Sequence, residues 1–175
     1  MNEREKQNGV DSHILRLVLK GLHNPKEVIR HDFTSILVST IACFPTHKQL
    51  RHLGSLRNTE EIDLDFFENV THMQIHRRQR AFYKLTQDLQ LEKIRIPNGV
   101  LLRFVLPLLQ PYLVNLSSST SALSDASLAL FTQIMRGAPW KKYFPMLDFY
   151  LKRLRKESVN VNHKAIIRLV FKFPF

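Results

Sequence analysis

Glycine and cysteine are scarce in this 175-residue chain, which has five of the first and one of the second. Strands at close spacing need Gly-rich turns, so five glycines argue against an all-β fold. A lone Cys43 excludes a disulfide framework within the chain and points to a reducing, intracellular compartment. No apolar run reaches the roughly 20 residues that a membrane-spanning helix needs. The first nine residues are polar and mixed in charge, unlike a secretory leader, so the sequons at Asn69 and Asn115 read as chance matches. P-loop, GxGxxG and GxSxG motifs are missing too. The serines at 117–121 have no local base, and Cys43 has no cationic neighbour in its own turn to lower its pKa. An enzyme is therefore not expected, and nothing calls for a cofactor or a small-molecule substrate. A basic amphipathic helix could lie on an anionic membrane surface, but its aromatic residues are better explained as core, and no membrane partner is expected.

Acidic residues are the other shortage, and it is uneven. The net charge is +11. Residues 1–71 are nearly balanced, with 9 Lys/Arg against 10 Asp/Glu. Residues 72–95 carry 6 against 2, and residues 141–175 carry 9 against 2. The excess thus falls in two blocks, which an anionic partner could read as patches.

What the sequence has in quantity is helix-forming and apolar: 44% hydrophobic residues, 12 of them Phe. Helical spacing recurs along the chain, and no segment sustains a period of two. Ser12 is expected to cap a first helix bearing Ile14, Leu15, Val18, Leu19 and Leu22. Asn24 and Pro25 open a second, with Val28, Ile29, Phe33, Ile36, Leu37, Thr40 and Ile41 on one face, closed by Pro45. A short helix carries Leu50 and Leu53. Asp65 caps a segment starting at Phe66. Further helices are expected over about 72–90, 99–114 (interrupted at Pro107 and Pro111), 122–136, 140–156 and 160–172.

An internal repeat is visible. Leu106 to Leu113 aligns with Phe144 to Leu151 at an offset of 38 residues, with four of eight positions identical, and Gly99 and Gly137 share that offset. Two helices per 38 residues, with a proline inside the first (Pro107, Pro145), is close to a HEAT-type repeat. The expected fold is all-α: HEAT-like helical repeats in antiparallel pairs, one α-solenoid segment over 1–175 with sub-units at 12–56, 63–95, 98–136 and 139–173. The apolar end, Phe171 to Phe175, has no polar cap. It reads as the cut edge of a longer solenoid, or as aromatics folded back on the last helix pair.

Within 72–90, His76, Arg77, Arg80 and Lys84 share an arc of about 100°, opposite Ile75, Phe82, Leu85 and Leu89. Such a stripe suits phosphate, though a solvated helix face would look the same. Arg78 falls among the apolar residues and must snorkel or find a carboxylate. Asp63, Asp65 and Glu68 are the candidates, and a structural salt bridge is expected. In 140–156, Trp140, Tyr143, Phe144, Leu147, Leu151 and Leu154 make the core stripe, while Lys141, Lys142, Lys152, Arg153, Arg155 and Lys156 crowd the rest. Lys164, Arg168 and Lys172 form a line on the last helix. Like charges one turn apart repel by a few tenths of a kcal/mol per pair, so a sequence that keeps them favours an anionic partner. Glu68, His72 and His76 are spaced i, i+4, i+8. One helical row cannot surround an ion, and no metal site is expected.

The run Asp65-Phe66-Phe67-Glu68-Asn69-Val70, followed by Ile75-His76-Arg77-Arg78-Gln79-Arg80-Ala81, resembles a known family. So does the stretch from Pro139-Trp140-Lys141-Lys142-Tyr143 through Leu151 and on to Asn162-His163-Lys164. The family is that of the HEAT-repeat U3 small nucleolar RNA-associated protein 20, also called down-regulated in metastasis, and the likeness covers most of the chain. The resemblance implies a piece of a longer, non-catalytic scaffold of the nucleolar small-subunit processome. Such a scaffold supports pre-rRNA processing and contacts pre-ribosomal RNA or U3 small nucleolar RNA and processome proteins. A protein-interaction solenoid with no direct RNA contact is the alternative.

Overall fold

The structure, a computed structural model, describes residues 2–114, 121–156 and 161–172. These residues form helices and no strand, so the all-α expectation holds. Helix α1 (Glu3–Gly9) runs through a π turn (Val10–Leu15) directly into α2 (Arg16–Leu22). Ser12 therefore lies inside a helical rod instead of capping one: its hydroxyl donates to the Asn8 carbonyl at 2.7 Å. The expected sub-unit boundary at 12 falls inside the same rod.

Helix α3 (Glu27–Cys43) starts two residues after the expected Pro25, with Lys26 as N-cap. Asn24 instead folds the turn, its Oδ1 accepting from the Lys26 amide at 2.9 Å. α2 and α3 pack together. Gly21 permits the approach, because a Cβ there would stand 2.0 Å from the Phe33 ring. Leu37 and Ile41 face the core, whereas Val28 and Ile36 are exposed. Thr34 and Thr40 are buried because their hydroxyls donate to the carbonyls of Arg30 and Ile36, at 2.7 Å each. Cys43, at the end of α3, is exposed.

The short helix α4 (Leu50–Leu53) has an unusual cap. His47 is buried, and its Nδ1 accepts from the amides of Gln49 (3.3 Å) and Leu50 (3.5 Å). Its Nε2 faces Asp11 Oδ1 at 3.5 Å, and Lys48 Nζ lies 2.6 Å from Asp11 Oδ2. Burial above all, with Lys48 and Arg103 adding and Asp11 opposing, lowers the His47 pKa from 6.5. The geometry agrees, since a protonated Nδ1 could not accept from two amides. Unfolded His47 thus takes up its proton at a higher pH than folded His47. Its share of stability is whole above 6.5 and falls as the pH drops through 6.5 toward the folded value. His47→Asn, which keeps a capping acceptor, is expected to lose less stability than the parent between about pH 7.5 and about pH 5.5. Thermal melts at both pH values measure this, and equal losses in the two proteins would refute it.

After a 3₁₀ turn (Ile62–Leu64) comes α5 (Phe66–Val70), capped by Asp65 as expected. Oδ1 of Asp65 accepts from the amides of Phe67 (2.9 Å) and Glu68 (3.1 Å). α6 (Ile75–Gln90) packs along α9 (Ser121–Arg136). Between them in sequence, α7 (Asn98–Val100), a π turn (Leu101–Val105) and α8 (Leu106–Val114) follow one another without a gap. The prolines therefore do not interrupt this segment. A proline clashes with the carbonyl four residues back, and for Pro107 that carbonyl belongs to Arg103, inside the widened π turn. Two more helices, α10 (Trp140–Lys156) and α11 (Val161–Phe171), pack on each other, and α11 also packs on α8.

The core is one cluster reaching from Val10 in the first π turn to α11. Phe66, Phe82 and Tyr112 form a chain of ring contacts at 6.3 and 5.9 Å that joins α5, α6 and α8. Phe67, Phe82, Phe104 and Phe131 are fully buried, each worth about 1.5–3 kcal/mol in apolar transfer.

Candidate nucleic-acid interface

On α6 the expected cationic stripe divides. His76, Arg80 and Lys84 are exposed, beside the exposed ring of Tyr83. Arg77 is not in that set. Its guanidinium pairs with Asp63 of the 3₁₀ turn, its Nε donates to Asn69 Oδ1 at 2.9 Å, and one amino group lies 3.1 Å from His72 Nε2. It clamps the turns before α6 onto the helix. Arg80 and Lys84 line a shallow depression that also holds Asp63 and Asp88, so the outward face is of mixed sign. His72, in contact with Arg77, has its pKa lowered, by desolvation first and then by the charges of Arg77, His76 and Arg78.

Arg78 occupies the apolar side and is only 11% exposed. Its partner is Glu27 of α3, at 2.6 Å, and none of Asp63, Asp65 and Glu68. It also donates to the Tyr112 hydroxyl at 2.8 Å and to the His72 carbonyl, and lies 5.8 Å from the Tyr112 ring centre. Asp65 is committed elsewhere, accepting from Arg57 Nε at 2.6 Å and the Asn58 amide at 3.0 Å. Glu68 and His76 stand on different helices, so the Glu68-His72-His76 row is broken at the α5–α6 turn. Among the described residues, no three His, Cys, Asp or Glu side chains gather as a metal site.

The second block is on α10 and α11. Lys141, Lys142, Arg155 and Lys172 are exposed. Lys152 pairs with Asp148 one turn away at 2.6 Å, and Arg168 pairs with Asp125 of α9. Arg153 is half-buried near Tyr150, whose phenol is pushed up to about 12 by burial. The side chains of Lys156 and Lys164 lie outside the described residues. Arg168 and Lys172 line a groove of about 410 Å³ between α9 and α11, together with Arg136. Charge counting along the sequence does not single out Arg136, because it lies in the nearly uncharged stretch between the two basic blocks. A second groove, of about 370 Å³, brings His23, Arg30, Gln110, Phe149 and Arg153 together from four separate segments. No spacing along the chain could announce it.

The aromatic residues correct a second expectation. Tyr143, Leu147 and Tyr150 form the buried line of α10, with Leu151 and Leu154 at its edge. Trp140 and Phe144, expected in the core, are 70% and 53% exposed. Trp140 lies within the apolar arc but is the first residue of the helix, and Phe144 falls at the margin of the buried line, so periodicity alone does not bury either. No described helix is long and apolar enough to cross a membrane.

Fold and surface together describe an all-α protein with a basic face on α10 and α11 and a face of mixed sign on α6. No family model matches the chain. It is similar to the U3 small nucleolar RNA-associated protein 20 of Schizosaccharomyces pombe, 25% identical over 173 residues, which is 97% of this chain and 7% of that protein. It is also similar to the protein of the same name from Saccharomyces cerevisiae, 20% identical over 135 residues, or 77% of this chain and 5% of that one. The chain thus corresponds to a small part of the curated relatives it matches.

Proposed function

We propose that this chain is a segment of a helical-repeat scaffold in the nucleolar small-subunit processome, where it supports pre-rRNA processing by holding RNA and proteins, without catalysis. The observation that carries the RNA contact is the α10–α11 block, nine cations against two acids, with Lys141, Lys142, Arg155 and Lys172 turned outward. The relatives' names supply the setting, since they associate those proteins with U3 small nucleolar RNA. Support for the repeat comes from the hairpins α8–α9 and α10–α11, which follow each other at the 38-residue offset and bring α11 onto α8. The reading gives U3 small nucleolar RNA or pre-ribosomal RNA as the nucleic acid, and the nucleolus as the location.

Phosphate contacts release counterions, so the affinity for single-stranded RNA should fall with salt at a slope of about −0.7 per phosphate neutralised. With four to six of these cations engaged, the log–log slope is expected near −3 to −4 (roughly 0.7 per contact). A filter-binding or anisotropy titration across salt concentrations measures it. Binding no tighter than that of a charge-matched control protein would remove RNA contact from the function. The α6 face, where Asp63 and Asp88 sit among Arg80 and Lys84, better suits a protein partner, and crosslinks there to peptides alone would favour the protein-scaffold reading.

A further inference from the structure

Trp140 is the sole tryptophan of the chain, and most of its side chain meets solvent. It is nonetheless held in place. Its ring stacks on the buried Tyr143 with centroids 5.6 Å apart and planes 12° from parallel, and leans on Phe144 at 5.5 Å and 37°. Phe144 is itself half exposed. An exposed indole on a mobile rotamer would lose side-chain entropy on binding. One braced by two rings has already lost much of it. The surroundings are cationic: Lys141 and Lys142 are both exposed, and no acidic residue stands in the first turn of α10. The nearest carboxylate along the helix, Asp148, is paired with Lys152.

Aromatic faces ringed by aliphatic side chains are the pattern of a protein hot spot, because the surrounding contacts must exclude water. Here the exposed residues that follow the indole in the first turn of α10 are lysines instead. Flat π surface beside cations complements a ligand with both flat faces and regularly spaced negative charge, which is a nucleic-acid strand with its bases unpaired. In a duplex those faces are already stacked and out of reach.

We propose that Trp140 and Phe144, with Lys141 and Lys142, form a stacking platform for unpaired bases of single-stranded RNA. This deepens the RNA reading above and rests on it: the lysines hold the backbone and the indole takes a base. Stacking of this kind tolerates any base, so the site selects for strandedness, not sequence.

Because Trp140 is unique, its emission reports directly on the site. Titration of the intact chain with a short oligouridylate should quench that emission saturably, and a duplex RNA of equal length should quench it much less. Trp140→Ala should weaken binding of a labelled oligouridylate roughly 5- to 100-fold by anisotropy, while Trp140→Phe recovers much of the loss. Circular dichroism controls for folding, and the quenching arm needs no variant at all. If the oligonucleotide binds with emission unmoved and the Trp140→Ala affinity unchanged, the platform is wrong while RNA binding stands. If no RNA of either form binds, the function proposed above falls and takes the platform with it. Equal quenching by polyglutamate would assign the surface to an acidic protein segment and overturn the proposal.

Discussion

Arg78→Ala is expected to destabilise the folded chain by about 2–4 kcal/mol, the cost of breaking a largely buried charged network. One guanidinium joins four places: α6 that carries it, Glu27 on α3, Tyr112 on α8 and the His72 carbonyl in the preceding turn. The ion pair is the smaller part. Glu27 is 59% exposed, and a pair open to solvent on one side contributes about 0–1 kcal/mol. The larger part is the partly buried Tyr112 hydroxyl and the His72 carbonyl losing their donor, and the cavity left beside the Tyr112 ring. The order of effects follows. Tyr112→Phe should cost about 0.5–1.5 kcal/mol, and Glu27→Gln about 1 kcal/mol or less. Arg78→Lys should recover only part of the loss, since its three donors radiate from one nitrogen and cannot reach partners that meet three separate nitrogens of the planar guanidinium. Urea unfolding of the four variants tests this. An Arg78→Ala midpoint equal to the parent's, or a Glu27→Gln effect as large as that of Arg78→Ala, would refute the hub.

Asp65→Ala should cost about 3–5 kcal/mol, because a buried ion pair and a helix cap are lost together. The carboxylate is 1% exposed and accepts from four donors: the Phe67 and Glu68 amides on one oxygen, Arg57 and the Asn58 amide on the other. Removing it strands the Arg57 guanidinium and uncaps α5, whose Phe66 and Phe67 anchor the core. Asp65→Asn separates the two roles. Its amide oxygen can still cap α5, while its NH₂ group meets Arg57 and Asn58 donor to donor. A loss intermediate between parent and alanine is therefore expected in thermal or urea unfolding. Equal stability of the Asn and Asp proteins would mean that the charge contributes nothing.

How much of this was legible in the sequence depends on distance along the chain. The helices from α5 to α11 were readable from 3.6-residue spacing, and the Asp65 cap from local chemistry. Arg78 stood out as a charge at a buried angle, yet its partner Glu27 lies 51 positions away and could not be inferred from the neighbouring acids. Arg77 pointed the right way for phosphate by its helical angle, but the 3₁₀ turn that brings Asp63 to it has no periodic signal. Trp140 and Phe144 show the same limit from the other direction. Periodicity orders residues around a helix without saying how far the neighbouring helix reaches. His47 left no trace at all, being one histidine in a polar stretch whose burial comes from the Asp11 rod.

Lys141 and Lys142 occupy the first turn of α10, where the aligned peptide dipoles present their positive end. Ammonium groups there work against the helix that displays them, by about 0.3–1 kcal/mol each. This is local frustration, kept where a stability-driven sequence would have placed aspartate or glutamate. An anion docking on that turn relieves the conflict, so the occupied helix is firmer than the empty one. For the RNA contact proposed above, part of the affinity would thus be stored in advance as discomfort in the fold.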